Sequence, residues 1–275
     1  MRGPAVAGAF YPSTRKDCER MLSDFDERCK VDVKEKVVSC VVPHAGWVYS
    51  GFTAMHSFKA LKQACDRRKV TQPVFVIPCP NHSGYGAEVA VSTEDWLTPL
   101  GKAKCSQKVA AAILEKSEFA SVDEPAHEAE HSAEVQLPFL QHLFGSDFEF
   151  VAVALLRQDL DVARDLAKAV AFAGQKTKQP LFVVASSDLT HYEPARQAAE
   201  KDRYALEAAL ELDAREFLRR IEERRVTACG PAAIATAIEF AGLRGAKKAR
   251  LLHFSNSGPA TGELAVVDYA SLAFF

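Results

Sequence analysis

The sequence has no long apolar run and no excess of charge of one sign, and each absence excludes a class of protein. Its longest apolar stretches, such as Phe150–Leu156, fall far short of the roughly 20 residues that span a bilayer. The apolar part of Met1–Phe10 is too short, and too soon broken by Pro12, for a secretory signal. The net charge is −2, and acids interrupt the densest basic cluster, Arg215–Arg225. We therefore expect a cytoplasmic protein that binds neither a membrane nor a nucleic acid.

The motifs of several common enzyme classes are also missing, and the cysteines form no paired motif. Without GxGxxG, GxxxxGKS/T, HExxH or GxSxG, the dinucleotide, phosphate-loop, zinc-protease and α/β-hydrolase interpretations lack their defining residues. Seven cysteines are scattered without a CxxC pair, which argues against a disulfide framework and for reduced thiols. A metal site or a nucleophilic residue therefore remains as the interpretation of a functional site in this chain.

What the sequence does contain is an alternation of strand-like and helix-like segments. It is 48% hydrophobic and 25% charged, with no repeat and no dividing linker, so we treat residues 1–275 as a single domain. The predicted strands are Val37–Val42, Val74–Ile77, Glu88–Ser92, Phe148–Leu156, Leu181–Ala185, Arg250–Phe254 and Leu264–Phe274. The predicted helices include one capped by Ser13, one containing Ala54, Phe58, Leu61 and Cys65, and the segments Ser106–Glu115, Ala133–Leu143, Leu160–Ala171, Pro194–Leu210 and Gly230–Phe240, with a capping box at Asp213 and Glu216. This alternation predicts an α/β fold with one mixed, mostly parallel central sheet flanked by helices.

Three histidines occupy the same kind of position, just past the end of a predicted buried strand. His44 follows the first strand, His82 the second and His191 the strand Leu181–Ala185. A single loop histidine is more often a surface residue, but ligand sites form where loops leave the carboxyl ends of strands. The repeated placement predicts that these side chains meet.

Asp188 and Cys229 are two further candidates, each with an ordinary structural alternative. Asp188 precedes His191 by three residues and could orient its imidazole, although an Asx-turn explains the same spacing. Cys229 stands before Gly230-Pro231 at the start of a predicted helix, where backbone N–H groups favour a thiolate. A small buried core residue is the alternative for Cys229.

His131 and Glu134 have the i, i+3 spacing of a ligand pair or a general-acid unit. Acidic residues around them are equally typical of a helix N-terminus, and a capping role is the simpler interpretation. Aromatic residues near the histidine-bearing loops could offer contact area to a ligand or seal the core; they are Trp47, Tyr49, Tyr85 and Tyr192.

Taken together, these segments resemble the Memo family. The resemblance rests on AGAFYP (7–12), PHAGWVYSG (43–51), PNHSG (80–84), EHSAEVQLPF (130–139), SSDLTH (186–191), ACG (228–230) and FSNSG (254–258). It covers nearly the whole chain and implies a fold like that of class III extradiol dioxygenases. It further implies that His44, His82 and Cys229 coordinate a metal, that Asp188 and His191 complete the pocket, and that His191 corresponds to the dioxygenases' acid/base histidine.

The resemblance also implies a cofactor and several partners. The dioxygenases complete their iron site with Glu where this sequence offers Cys, and a thiolate suits iron, copper(I) or zinc. Memo-like proteins of archaea and bacteria are associated with AMMECR1-like and radical-SAM proteins, and animal members are described as phosphotyrosine-peptide binders.

Three functions follow from these patterns. The first is a metal-dependent redox enzyme, dioxygenase-like, that uses iron or copper on a small molecule, with Asp188 and His191 as catalytic residues. The second is a non-catalytic module that binds a phosphotyrosine-type peptide or a protein partner in the same pocket. The third, a metal-free nucleophile in which Cys229 acts with His191, leaves His44 and His82 without a task.

Overall fold

A computed structural model describes residues 1–275 and contains one large sheet with a parallel centre. The strands in chain order are β1 Ser39–Val42, β2 Val74–Pro80, β3 Val89–Val91, β4 Trp96–Thr98, β5 Gly101–Ala103, β6 Ala120–Val122, β7 Glu149–Leu155, β8 Leu181–Ser186, β9 His191–Pro194, β10 Ala249–Asn256 and β11 Ala265–Phe274. The order across the sheet is β10-β11-β1-β8-β2-β7-β3-β6; β9 pairs with β11, and β4 and β5 form a separate two-stranded sheet.

Ten helices accompany the strands, two of them only four residues long. In chain order they are α1 Arg15–Arg28, α2 Trp47–Arg67, α3 Gln107–Lys116, α4 Pro125–Glu128, α5 Leu137–Phe144, α6 Leu160–Thr177, α7 Ala195–Leu210, α8 Ala214–Arg224, α9 Pro231–Leu243 and α10 Gly258–Thr261. A 3₁₀ turn, Glu134–Gln136, leads into α5. None of the helices is long and apolar enough to cross a membrane.

Helices cover the sheet on both faces, and the alternation along its strands explains why. In β2, Phe75 and Ile77 pack in the core that contains side chains of α1, α2 and α5. Val74 and Val76 point the other way, into the core formed with α3, α6, α7, α8 and α9. Because both faces are covered, the central strands are continuous apolar runs rather than alternating ones.

The structure confirms the predicted α/β class and the mixed sheet, and corrects several local details. Thr14, not Ser13, caps α1, because its side chain accepts the N–H of Asp17. Asp213 caps α8 by accepting the N–H of Glu216, but the Glu216 carboxylate binds Arg219 and Arg220 instead of returning to the cap. The short strands β4, β5, β6 and β9 carry too few residues for a visible period and were not predicted.

The topology places the candidate residues at one edge of the sheet. Strands β1, β8 and β2 are adjacent and parallel, so their carboxyl ends lie together. His44 follows β1, His82 follows β2, and Asp188 and His191 follow β8. In a parallel sheet these loops leave from neighbouring strand ends and converge, which is the geometry expected of a ligand site.

Candidate metal centre

His44 is a buried histidine whose hydrogen bonds fix its tautomer. Its Nδ1 lies 2.9 Å from Ser186 Oγ. That hydroxyl donates to the Ser132 carbonyl at 2.8 Å and accepts from Gln136 Nε2 at 3.0 Å. With its one proton already given away, Ser186 can only accept from His44, so the proton of the imidazole resides on Nδ1. The Nε2 lone pair of His44 is therefore free to bind a ligand or a metal.

The free nitrogen of His44 faces the thiol of Cys229. The Sγ atom lies 3.0 Å from His44 Nε2 and accepts the backbone N–H of Asp188 at 3.1 Å. Burial and the neighbouring Asp188 raise the pKa of the Cys229 thiol, so these two effects outweigh the stabilisation of a thiolate expected at the start of a helix. The thiol is paired with His44 and not with His191, the partner that the metal-free nucleophile hypothesis assigned to it.

Gly230 brings Cys229 into this position. A Cβ atom at residue 230 would lie 2.7 Å from the Ser186 carbonyl oxygen and 3.1 Å from Ser187 Cβ. Its backbone N–H donates to Ser187 Oγ at 2.9 Å. The start of α9 can press against the end of β8 only because this residue has no side chain.

His82 is held by a buried carboxylate. Its Nδ1 lies 2.9 Å from Glu130 Oε1, and its backbone N–H donates to Glu130 Oε2 at 2.6 Å. Burial alone would lower the pKa of His82, but the hydrogen bond and the negative charge of Glu130 outweigh it and raise the pKa. Because an ionised carboxylate only accepts, His82 Nδ1 carries a proton and Nε2 is left for another partner.

Asp188 supports the site through the backbone of His44. Its Oδ1 accepts the N–H of His44 at 2.7 Å and that of Ala45 at 3.3 Å. Burial raises the pKa of Asp188 to about 6, against the lowering effect of those hydrogen bonds. Asp188 makes no hydrogen bond to His191, so the expected orientation of that imidazole by Asp188 is wrong in this structure.

Thr227 orients His191 instead. Its carbonyl lies 2.9 Å from His191 Nδ1, and its Oγ1 accepts the backbone N–H of His191 at 2.7 Å. Since a carbonyl only accepts, the proton is on Nδ1 and Nε2 is free. The next residue, Tyr192, has a φ of 58° and an 80% exposed side chain. A bulky residue rarely adopts this left-handed conformation, and such strain concentrates at functional sites.

These loops enclose a pocket of about 440 Å³. Its lining includes four of the residues predicted from sequence, which are His44, His82, Asp188 and His191, and extends to β11 and α10. Tyr49 and Tyr192 also line it, whereas Trp47 is only 2% exposed and packs against Tyr11 and Phe139.

His131 and Glu130 belong to the site, while Glu134 does not. The His131 ring lines the pocket and stacks on His82, with 4.6 Å between ring centroids. Burial lowers the pKa of His131 to about 4, although Glu130 works against it. Glu134 is buried elsewhere and binds Arg2 at 2.7 Å, so it is neither a cap nor a ligand partner of His131. Glu130 was missed because it lies 48 residues from His82 within an acidic stretch.

The donor set fits a transition metal. One ligand atom from each of His44, His82 and Cys229 lies within 4.8 Å of the others. Both imidazoles carry their proton on Nδ1, so both Nε2 lone pairs can bind a metal, that of His44 in place of its contact with the Cys229 thiol. The sulfur of Cys229 is a softer third ligand. A second group, His82, Glu130 and His131, has comparable distances, but four hydrogen bonds from His82 and Ser132 already occupy its carboxylate.

Comparisons with known proteins identify the family of this chain. The family model described as Memo-like protein matches residues 2–273. A MEMO1 family protein of Thermoplasma acidophilum is 42% identical over 273 residues, covering 98% of this chain and 97% of its own. One from Methanococcoides burtonii is 39% identical over 272 residues, covering 99% of each chain. The crystal structure of an uncharacterized protein from Escherichia coli K12 shares the fold at a TM-score of 0.53 and 14% identity, covering 85% of this chain and 99% of that one.

Proposed function

The chain belongs to the Memo-like protein family, and we propose that its pocket is the metal centre of a redox enzyme in which His44, His82 and Cys229 bind iron or copper. The convergence of these three side chains at one sheet edge is the observation that carries the proposal. Two imidazoles and a thiolate suit iron, copper(I) and also zinc. The bound ion would supply Lewis-acid and redox chemistry to a small-molecule substrate in the pocket.

The protein's own residues have distinct tasks in this proposal. Ser186 and Glu130 hold the two imidazoles with Nε2 available for binding. Thr227 holds His191 in the tautomer whose free Nε2 can accept a proton from the substrate. Asp188 fixes the backbone that carries His44. The pocket leaves room beside these groups for a small organic molecule.

Metal content tests the proposal most directly. We expect about one equivalent of iron or copper in protein purified without chelators and without a histidine tag, measured by elemental analysis. The Cys229→Ala variant should lose most of it because a thiolate ligand is gone. Cys105→Ala is the matched control, since this buried thiol does not belong to the group formed by His44, His82 and Cys229, and the variant should keep its metal. Equal metal content in both variants would contradict the assignment.

Redox activity requires a second measurement. After anaerobic loading with Fe(II) or Cu(I), oxygen uptake is followed with catechols and other small phenols. We expect uptake that depends on both metal and substrate and that falls at least ~100-fold in His191→Ala, as for loss of a general acid or base. Silence with every redox metal would exclude the redox proposal while leaving the metal site intact.

Exposed aromatic residues support a second candidate, a binding module. Tyr85 and Tyr192 are each 80% exposed and Tyr49 is 42% exposed, close to the histidine-bearing loops. Aromatic side chains of this kind provide contact area for peptides and proteins. A phosphotyrosine-type peptide and AMMECR1-like or radical-SAM proteins are the partners we propose for it. Unchanged affinity for a phosphotyrosine peptide in the His44→Ala, His82→Ala double variant would favour binding without metal.

A further inference from the structure

Glu130 accepts hydrogen bonds from four donors near the pocket. Its side chain does not line the pocket. Its carboxylate accepts the backbone N–H of His82 and the proton on His82 Nδ1. It also accepts the N–H and the hydroxyl of Ser132, at 2.8 and 2.7 Å. The residue is only 3% exposed. A buried carboxylate with four donors is ionised, and its Oε1, which accepts three of them and is the oxygen nearest His131, has no lone pair left for a cation.

This saturation distinguishes two roles for Glu130. If it bound a second metal ion with His82 and His131, it would have to give up hydrogen bonds to Ser132 or His82. The rings of His82 and His131 are also stacked, with an interplanar angle of 24°, so they lie face to face. If Glu130 instead acts as the acceptor that fixes the His82 ring, it can keep all of its hydrogen bonds.

We propose that Glu130 is a positioning residue that holds His82 in the Nδ1–H tautomer and aims its Nε2 at His44 and Cys229. The effect of Glu130 on metal binding rests on the proposed metal site, whereas its effect on the tautomer of His82 does not. Glu130 carries negative charge to the far side of the imidazole and makes it a stronger donor to a cation. His82 itself is more than a third exposed, so without this bond its ring would be free to rotate toward solvent.

The variant Glu130→Gln tests this with little change of shape. An amide has one acceptor oxygen, so its NH₂ group must face either the backbone N–H of His82, at the position of Oε2, or the ring N–H of His82 and both Ser132 donors, at the position of Oε1. Glu124→Gln is the matched control, because Glu124 also accepts from hydroxyl and backbone donors, those of Ser92 and Thr93, and does not touch His82.

Cobalt(II) is the probe of binding, because its thiolate and d–d absorption bands report ligation. We expect one Co(II) per wild-type chain, a 10- to 100-fold weaker affinity in Glu130→Gln, and less than ~3-fold change in Glu124→Gln. In a His82→Ala background, Glu130→Gln should have no further effect. An equal loss in that background would show a merely structural role, and two Co(II) per wild-type chain with one in Glu130→Gln would show that Glu130 is a ligand.

The tautomer is measured separately, in metal-free protein labelled with ¹⁵N-histidine, by NMR in mildly alkaline buffer. Wild type and Glu124→Ala should show His82 protonated on Nδ1, whereas Glu130→Ala, which removes both acceptor oxygens, should shift it toward Nε2–H. This result would stand even if the protein bound no cobalt, in which case only the metal proposal fails. The same tautomer in all three proteins would overturn the role assigned to Glu130.

Discussion

Two pairs of buried carboxyl groups differ in the number of hydrogen-bond donors that surround them. Glu130 and Glu134 each receive several hydrogen bonds; Glu134 accepts from Arg2, Tyr11 and the backbone of Ala5 and Val6. Asp202 and Asp268 are equally buried, but only Thr190 donates to Asp202, and neither side-chain oxygen of Asp268 has a donor. Burial is the same in both places, while the supply of donors is not.

The pKa directions follow that difference. Burial would raise the pKa of Glu130, yet the hydrogen bonds and charge of His82 and the bonds from Ser132 hold it well below its usual range. Burial and the charge of Asp202 raise the pKa of Asp268 to about 8. Glu130 is charged at neutral pH, and the Asp202–Asp268 pair retains a proton. The number of hydrogen-bond donors, more than the extent of burial, therefore determines which of these carboxyl groups is charged.

The largest effect is expected from removing Glu134. In Glu134→Ala the guanidinium of Arg2, buried and otherwise bound to the carbonyls of His127 and Glu130, loses its counter-charge. Breaking such a buried pair costs about 3–5 kcal/mol of unfolding free energy. Chemical denaturation measures this loss, and a change below ~1 kcal/mol would contradict the importance given to donors on this carboxylate.

Removing a single donor should have a smaller effect. Tyr11→Phe deletes the hydroxyl that donates to Glu134 at 2.7 Å, and we expect a loss of about 1.5–3 kcal/mol because the acceptor is charged. Tyr204→Phe is the matched control, since its hydroxyl donates to the exposed Glu223 at 3.1 Å and should contribute less than ~0.5 kcal/mol. Equal losses in the two variants would remove the distinction between buried and exposed carboxylates.

A substitution in the Asp202–Asp268 pair should stabilise the folded protein instead of destabilising it. Asp268 has a folded pKa above its ordinary 3.8, so the folded state keeps a proton that the unfolded chain releases, and stability falls as pH rises from about 4 to about 8. Asp268→Asn imitates the protonated acid and removes that penalty. We expect a gain of about 1–2 kcal/mol near pH 8, or roughly 2–4 °C in Tm per kcal/mol, that shrinks toward pH 4. Thermal unfolding at several pH values measures the gain; a loss at pH 8 would contradict the retained proton.

The sequence predicted the sheet and three of the residues that meet at its edge, because both depend on local patterns. Apolar runs of strand length identified β1, β2 and β8, and His44 and His82 stand directly after two of them. Cys229 was found because Gly230 and Pro231 mark the start of a helix. In each case a side chain's position followed from the element beside it.

The hydrogen-bond partners of those residues could not be predicted in the same way. Glu130 meets His82 across 48 residues, and Thr227 meets His191 across 36. No period links such positions, because loop packing determines them. Asp188 illustrates the failure: its spacing from His191 indicated a direct bond, yet its carboxylate binds the backbone of His44 in a different loop.

The close contact at Gly230 also limits how this protein could be re-engineered. Residue 230 faces the Ser186 carbonyl with no room for even a methyl group, so a mutagenesis library that varies the pocket should leave this codon fixed. Substitutions are better placed at Tyr49 and Tyr192, whose exposed rings can be exchanged without moving Cys229 Sγ away from His44 Nε2. New substrate preferences would then be sought at these exposed tyrosines, while Gly230 stays unchanged.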